Sequence, residues 1–587
     1  MKKLIDFIKK NWIGIALAII ILGAVFVRVY KFEDWLLFKA DQVRDATLTA
    51  EAFNNGVESL PLLGPRAAGT YLRLGPAFYY MQYASTKVFN SLEPHVLAYP
   101  DLIFSILTIP LLFYFLKQFF SRRDSLLITL LYSFSFIIIQ YSRYAWNPNS
   151  ITFWGLLFIT GLYKASQEKD KKKAGAWLLV LGFAYAIVSQ LHFVALVGYP
   201  VVAFLFWVLF FPKKINWKYW LGAILIVLFF YIPVILSNVN TDGDYLKQFV
   251  YAITAKSESG ETDLYKDWQK ISTSFTNFIS SVGHKDSFLS FIGGTILILA
   301  GIFATIFYSF KDKKNRRFAY LILVWFLVFI LILLKTDTSM KPRFFMPIAS
   351  VPFIFLGFFY LLLKKLKFKI INLVALSVVV VILLLNFNGL KTVANYFESQ
   401  DKDSIGRTIF IEQDDAKVLE KHLQVTQYMA ELARKNNKIA CFSTSAVYER
   451  TYEYLFDVYF PDVKYDRVSE SFKNKEKCKY FSIITAGNEK RISNDYKNDF
   501  IFERSKVFGR LEVWEIKAKE EFLNYSPKAD EIIRLRDKTD EEIQSDLKES
   551  LEKDYEDITK EFSQEETEKQ KKPERKERVL WKEVFGN

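Results

Sequence analysis

Cysteine and histidine are scarce in this sequence, with 2 and 4 residues among 587. A zinc cage or a haem-attachment motif draws on several of them at close spacing, so both classes fall away. No repeat relates the two halves of the chain. No small-residue cleavage site follows the first apolar run, Trp12–Tyr30, so that run is expected to stay as a span rather than be removed as a leader. Ionisable residues are also rare inside the apolar runs, where only Arg28 and Asp101 lie near run ends.

Apolar and aromatic residues are abundant instead. Hydrophobic residues make up 51% of the chain and aromatic residues 17%, including 56 Phe and 32 Tyr. They are bunched into runs separated by Lys/Arg-rich patches, the pattern of a polytopic α-helical membrane protein. The net charge of +14 does not point to nucleic acid, because the basic residues sit at the ends of apolar runs. Eleven spans are expected: Trp12–Tyr30, Ala98–Leu116, Leu126–Tyr141, Ile151–Tyr163, Ala174–Val188, Phe193–Phe211, Trp220–Leu236, Phe288–Phe310, Ala319–Leu334, Phe344–Leu363 and Ile370–Phe387. Every second connection is short and basic, as are the first ten residues with Lys2, Lys3, Lys9 and Lys10. Cytoplasmic loops carry such an excess, so the N-terminus is expected inside the cell membrane and everything after Phe387 outside.

The outer set then holds the first loop, 31–97, a long loop, 237–287, and the turns "SRYAWNPNS", "SQLHF" and "TDTSMKPRF". Residues 1–390 form the membrane domain. Residues 400–518 read as a small extracytoplasmic α/β domain, with strands at "KIACFSTS", "KYFSIITA" and "RLEVWEI". Cys441 and Cys478 fall in or beside these strands, either disulfide-bonded or as two buried thiols. From 519 to 587 mixed charge dominates, with Ile543, Leu547 and Leu551 at helical spacing, and the expectation is a solvated helix fraying into disorder. A partner-binding arm is the other reading of that composition.

The first outer loop opens with "FKADQVRDATLTAEAF". Asp41 and Asp45 are four apart and so share a helical face, with Arg44 between them. On spacing alone this is either a solvated amphipathic helix on the membrane surface or a catalytic pair. The loop continues "LLGPRAAGTYLRLGPAFYY", with two Gly-Pro breaks, Arg66, Arg73, Tyr71, Tyr79 and Tyr80. Carboxylates at the headgroup level suit proton abstraction, and guanidiniums suit a lipid-linked phosphate.

"ADQVRDA", "LRLGPAFYY", "YSRYAWNPN" and "KPRFFMPIASVP", in that order and all outside, resemble the GT-C membrane glycosyltransferases. The most similar branch holds the protein O-mannosyltransferases, the aminoarabinose lipid A transferases and the RgtA/B/C/D-like enzymes. The likeness covers roughly residues 10 to 390. It implies transfer of a hexose or pentose from a polyprenyl-phosphate donor to a protein, lipid or cell-envelope glycan on the outer face. It also implies that Asp41 carries catalysis. Many members have Asp-Glu here, whereas this chain has Asp41-Gln42, which removes an adjacent carboxylate and with it support for a metal; Asp45 stands one turn later. No cofactor and no nucleic-acid partner are expected.

Such a transfer needs a base for the acceptor hydroxyl and cations for the departing phosphate. Asp41 is the expected base, with Asp45 beside it. Arg143, Arg343 and Lys341, at outer span ends, are the expected phosphate clamps, with Arg66 and Arg73 behind them. Arg44, Tyr79, Tyr80, Asn147 and His192 are expected around the substrate. Each has a structural reading too: Arg143 and Arg343 snorkelling, Trp146 in an interfacial belt, Asn147 and Pro148 making a turn, His192 as a satisfied polar group. A transporter or lipid flippase with Asp41 as a coupling acid is the alternative. Such proteins place polar interruptions in mid-span and show repeats, and this sequence has neither.

Overall fold

The structure, a computed structural model, describes residues 2–67, 72–255, 264–281, 287–311, 315–335, 342–368, 370–398, 418–468, 471, 475–486, 499–524 and 579–585. Apolar runs become helices because a backbone in hydrocarbon must satisfy its own hydrogen bonds. Among the described residues, eight helices are long and apolar enough to cross a membrane: Lys9–Val29, Pro94–Leu116, Lys171–Leu191, Phe193–Phe210, Trp217–Asn240, Phe288–Phe310, Arg316–Leu334 and Ile370–Glu398. The pair Pro342–Ile348 and Val351–Lys364, bent by 59°, makes a ninth if counted as one span.

Two of the eleven expected spans come out differently. Leu126–Tyr141 is not one helix but two, Arg122–Ser133 and Phe136–Tyr141. The break at Phe134–Ser135 is stabilised from outside. Phe136 N–H donates to Asn386 Oδ1 at 2.8 Å, and Ser135 Oγ donates to the Phe278 carbonyl at 2.7 Å. Partners on neighbouring helices thus replace the missing helical bonds. Ile151–Tyr163 extends to Gln167 but has only 17 residues, short of the roughly 20 that an upright span needs.

The first loop, 31–97, joins α1 (Lys2–Val29) to α4 (Pro94–Leu116) and holds two helices of its own, α2 (Ala40–Asn55) and α3 (Ala77–Phe89). Inside α2, Gln42, Val43, Asp45, Ala46, Thr49 and Ala52 are buried. One face of the helix is therefore packed into the protein, with Asp45 buried on it and Asp41 left accessible. Its first residue, Ala40, has φ +26°, a region that residues with a Cβ rarely occupy. Between α2 and α3 the chain doubles back. Gly64 N–H donates to Leu74 O, Leu74 N–H to Pro65 O and Ala67 N–H to Leu72 O, all at 2.7–2.8 Å. A Cβ on Gly64 would sit 2.2 Å from the Gly75 carbonyl oxygen, so this crossing requires glycine.

The α/β domain carries a five-stranded sheet of order β2-β1-β3-β5-β4. The strands are β1 (Ile439–Ser443), β2 (Tyr465–Arg467), β3 (Cys478–Thr485), β4 (Phe500–Phe508) and β5 (Leu511–Ala518). β1 is parallel to β2 and β3, and β5 is antiparallel to β3 and β4. β2 and β4 were not among the expected strands. β2 is only three residues long, and β4 exposes most of its side chains, so neither carries the alternation that betrays a half-buried strand. Cys441 and Cys478 are joined in a disulfide. The domain is bonded to the chain just ahead of α2: Leu419 N–H donates to Leu36 O and Glu420 N–H to Asp34 O, both at 3.0 Å, and Thr451 Oγ1 donates to Phe38 O at 3.4 Å.

Part of the charged 519–587 segment departs from the expected solvated helix. Ile543, Leu547 and Leu551 lie outside the described residues, but Val579–Phe585 folds onto the first loop. Leu62 N–H donates to Val579 O at 3.0 Å, Pro61 and Leu580 form an antiparallel bridge, and Trp581 Nε1 donates to the Tyr80 hydroxyl at 2.7 Å.

Candidate active site

Asp41 and Asp45 project from one side of α2 and grip the same guanidinium. Arg44 Nη1 donates to Asp41 Oδ1 at 2.7 Å, and Arg44 Nε donates to Asp45 Oδ1 at 2.8 Å. The two carboxylates differ in access: the Asp41 side chain is 47% exposed and that of Asp45 1%. Burial works against the Arg44 charge, but Asp45 and then Asp41 outweigh it and hold the guanidinium well above its ordinary pKa.

Asp41 and Arg44 line a cavity of about 150 Å³ with Arg66, Asn147, His192 and Arg343. Residues far apart in sequence meet here, and each is held by an identifiable contact. The Arg343 guanidinium lies 4.9 Å from the Trp146 ring centroid and 5.0 Å from that of Phe344, close enough for cation–π attraction to both. Asn147 Nδ2 donates to the Leu191 carbonyl at 2.6 Å. His192 caps the helix Phe193–Phe210, its Nδ1 accepting from Val194 N–H at 3.2 Å. The expected structural role of this histidine and its place at the cavity thus coexist.

One buried acid organises this wall. Asp101, on α4, accepts from the Trp146 N–H at 2.9 Å and from the Ser150 hydroxyl. The turn carrying Trp146, Asn147 and Pro148 is thereby tied to α4. In the sequence Asp101 stands out only as a charge near a span end. The usable signal was an acid flanked by apolar residues, which by itself suggests a polar partner in the bundle.

Arg143 does not line the cavity. Its guanidinium donates to three carbonyls at the end of α1, those of Val27 (3.2 Å), Arg28 (2.9 Å) and Lys31 (2.8 Å). Phe32 and Trp35 flank it, with ring centroids 5.9 and 5.8 Å away. This is a cation closing a helix C-terminus, so its geometry departs from that of a phosphate clamp. Arg73 is bridged to Arg66 but faces a separate groove. Tyr79 is buried, and Tyr80 is occupied with Pro61 and Trp581; neither lines the cavity. Lys341 and Tyr71 lie outside the described residues.

The separate groove, about 1490 Å³, runs between α2 and the helix Ala446–Tyr459 of the α/β domain. Arg44 lines both spaces. Arg44 thus stands between them, with Asp41 on the cavity side.

Residues 54–240 match the family of dolichyl-phosphate-mannose-protein mannosyltransferases. No curated protein matches the chain. Among solved structures, ArnT from Cupriavidus metallidurans in the apo state is 12% identical with a TM-score of 0.51, over 89% of this chain and 100% of that one. The same protein bound to undecaprenyl phosphate gives 12% and 0.52, over 88% and 99%. The oligosaccharyltransferase of Archaeoglobus fulgidus in the apo form gives 12% and 0.49, over 82% and 70%. Arg66, Asn147 and His192 fall inside the family match, whereas Asp41, Arg44 and Arg343 join them only through the fold. Over residues 54–240 the chain is therefore similar to the dolichyl-phosphate-mannose-protein mannosyltransferases, and over most of its length its membrane-spanning helices share the fold of ArnT.

Proposed function

We propose that the cavity holds the phosphate and sugar of a polyprenyl-phosphate sugar, and that Asp41 takes the proton of an acceptor hydroxyl as it attacks the sugar. The observation that carries this is one accessible carboxylate sharing a small cavity with Arg44, Arg66 and Arg343. The acceptor oxygen bonds to the anomeric carbon, its proton passes to Asp41, and the carbon–oxygen bond to phosphate breaks. Polyprenyl phosphate leaves with the bonding pair, and attack from the opposite side inverts the anomeric centre. Arg343 and Arg66 stabilise the charge that develops on the phosphate. Asp45, sealed from solvent, holds Arg44 in place and takes no proton. The undecaprenyl phosphate bound to the ArnT relative supports a donor of this class.

The groove on the other side of Arg44 is the acceptor side in this reading. Its size exceeds what a single sugar fills, and it mixes Glu51, Arg73, Arg450 and Asp457 with the aromatic rings of Phe53, Tyr454 and Tyr465. No step in this reading is routed through a metal: Asp41 and the arginines carry the roles. Turnover is accordingly expected to survive EDTA treatment. In this reading the site faces outward, which a disulfide suited to an oxidising compartment and the alternation of basic loops support.

Purified protein in detergent, incubated with polyprenyl-phosphate hexoses and pentoses, is expected to release polyprenyl phosphate detectable by mass spectrometry. Absence of release across the panel, together with sugar-lipid translocation in vesicles, would replace this reading with the transporter one.

A further inference from the structure

Residues 579–585 dock on the first loop, with Trp581 and Tyr80 in contact 501 positions apart. Two backbone contacts, Leu62 N–H to Val579 O (3.0 Å) and Trp581 N–H to Leu60 O (3.4 Å), hold the segment beside Leu60–Leu62 through a single antiparallel bridge between Pro61 and Leu580. The Trp581 indole donates to the Tyr80 hydroxyl, which itself donates to Pro61 O at 3.2 Å. The indole, phenol and carbonyl therefore tie this segment, α3 and the loop into one unit. That loop runs directly into Pro65 and Arg66 at the cavity. On the other side, Leu580 reaches the wall of the groove, near Arg73 and Tyr454.

We infer that segment 579–585 is a built-in wall of the acceptor groove: Leu580 determines which acceptors fit, and Trp581 is a positioning residue acting through Tyr80. The inference rests on the reading of the groove as the acceptor side. Its chemistry is apolar contact from Leu580 beside a charged and aromatic groove, which suits a sugar face or an aliphatic side chain better than a bare phosphate.

The test uses the full chain, a chain ended after Arg575, and the variants Leu580→Ala and Trp581→Phe. Docking is read first, without any reaction, as binding of a fluorescein-labelled peptide of residues 576–587 to the shortened chain. Saturable binding is expected, weakened at least tenfold when the peptide carries Trp581→Ala. Release of polyprenyl phosphate is then followed with water as the only acceptor and with a detergent extract of cell envelope added. Shortening the chain should leave the water reaction within about twofold and reduce the envelope-stimulated reaction at least tenfold. Added peptide should restore it. Leu580→Ala should raise the KM for the envelope acceptor while kcat holds.

Equal loss of both reactions would show a general support for the fold and overturn the inference. An unchanged envelope-stimulated reaction in the shortened chain, or failure of the peptide to bind, would overturn it as well. No release by the full chain in either assay would instead remove the glycosyl-transfer reading, and the acceptor wall with it, even if the peptide still bound.

Discussion

Asp41 and Asp45 hold one guanidinium between them, yet only Asp41 meets the cavity. Asp41→Asn keeps the shape and the hydrogen bond to Arg44 but removes the base. Turnover is expected to fall by roughly two orders of magnitude or more, as for loss of a general base, with donor affinity retained in a binding assay. Asp45→Asn is expected to cost less turnover and more stability, since it leaves the buried side of Arg44 without its charge partner; thermal melting in detergent reads this. Arg343→Ala should weaken donor binding at least tenfold, because a hydrogen bond to a charged group contributes about 1.5–3 kcal/mol. Arg343→Lys should recover only part, lacking the planar fork. Arg143→Ala should do the reverse: lower the melting temperature by freeing the end of α1, and leave donor affinity unchanged. The sequence placed Arg143 and Arg343 alike at outer span ends. What separates them is the position of the α1 carbonyls, which no local pattern in "YSRYAWNPN" records.

Elements carry the next layer. The turn after the broken pair Arg122–Ser133 and Phe136–Tyr141 owes its form to Asp101 on α4. Asp101→Ala leaves the buried Trp146 N–H without its acceptor, a loss on the order of 1–3 kcal/mol. It should also raise the donor KM by shifting Asn147, with melting and kinetics measured together. In the sheet, burial alone would raise the Glu515 carboxyl. The partners Arg504, Lys479 and Tyr428 outweigh it and hold the carboxyl below its ordinary value. A carboxylate depressed in this way stabilises the fold above its unfolded pKa, and that contribution is lost as pH falls through the folded value. The melting temperature of the protein should therefore decline in acid, and Glu515→Gln should flatten that decline. The helical periods of the long spans and of α2 were legible because apolar spacing sets them directly. The break at Phe134–Ser135 was not, because the groups that stabilise it, Asn386 and the Phe278 carbonyl, come from distant helices.

At the scale of the molecule, the pairing of loop sides can be checked with the protein's own chemistry. Cys441 and Cys478 are bonded to each other, so an introduced cysteine is the one free thiol. Ser445→Cys is expected to react with an impermeant maleimide in intact cells, and Lys169→Cys only after permeabilisation; the opposite pattern would invert the assigned orientation. The two spans that came out short are neighbours, so counting both or neither leaves all later loops on the same sides. The cavity was legible as a set of residue types on outer loops, while its assembly, the place of Arg44 between the two spaces and the docked Trp581 depend on contacts across hundreds of positions.

The α/β domain grips Asp34, Leu36 and Phe38, a few residues ahead of Ala40 and its unfavourable φ of +26°. The domain is thus a hand on a bent spring. Were a load to lift it, Ala40 would be expected to relax and carry Asp41, the next residue, out of line. Ala40→Gly would slacken that spring, leaving the carboxylate in place but no longer answering to the domain.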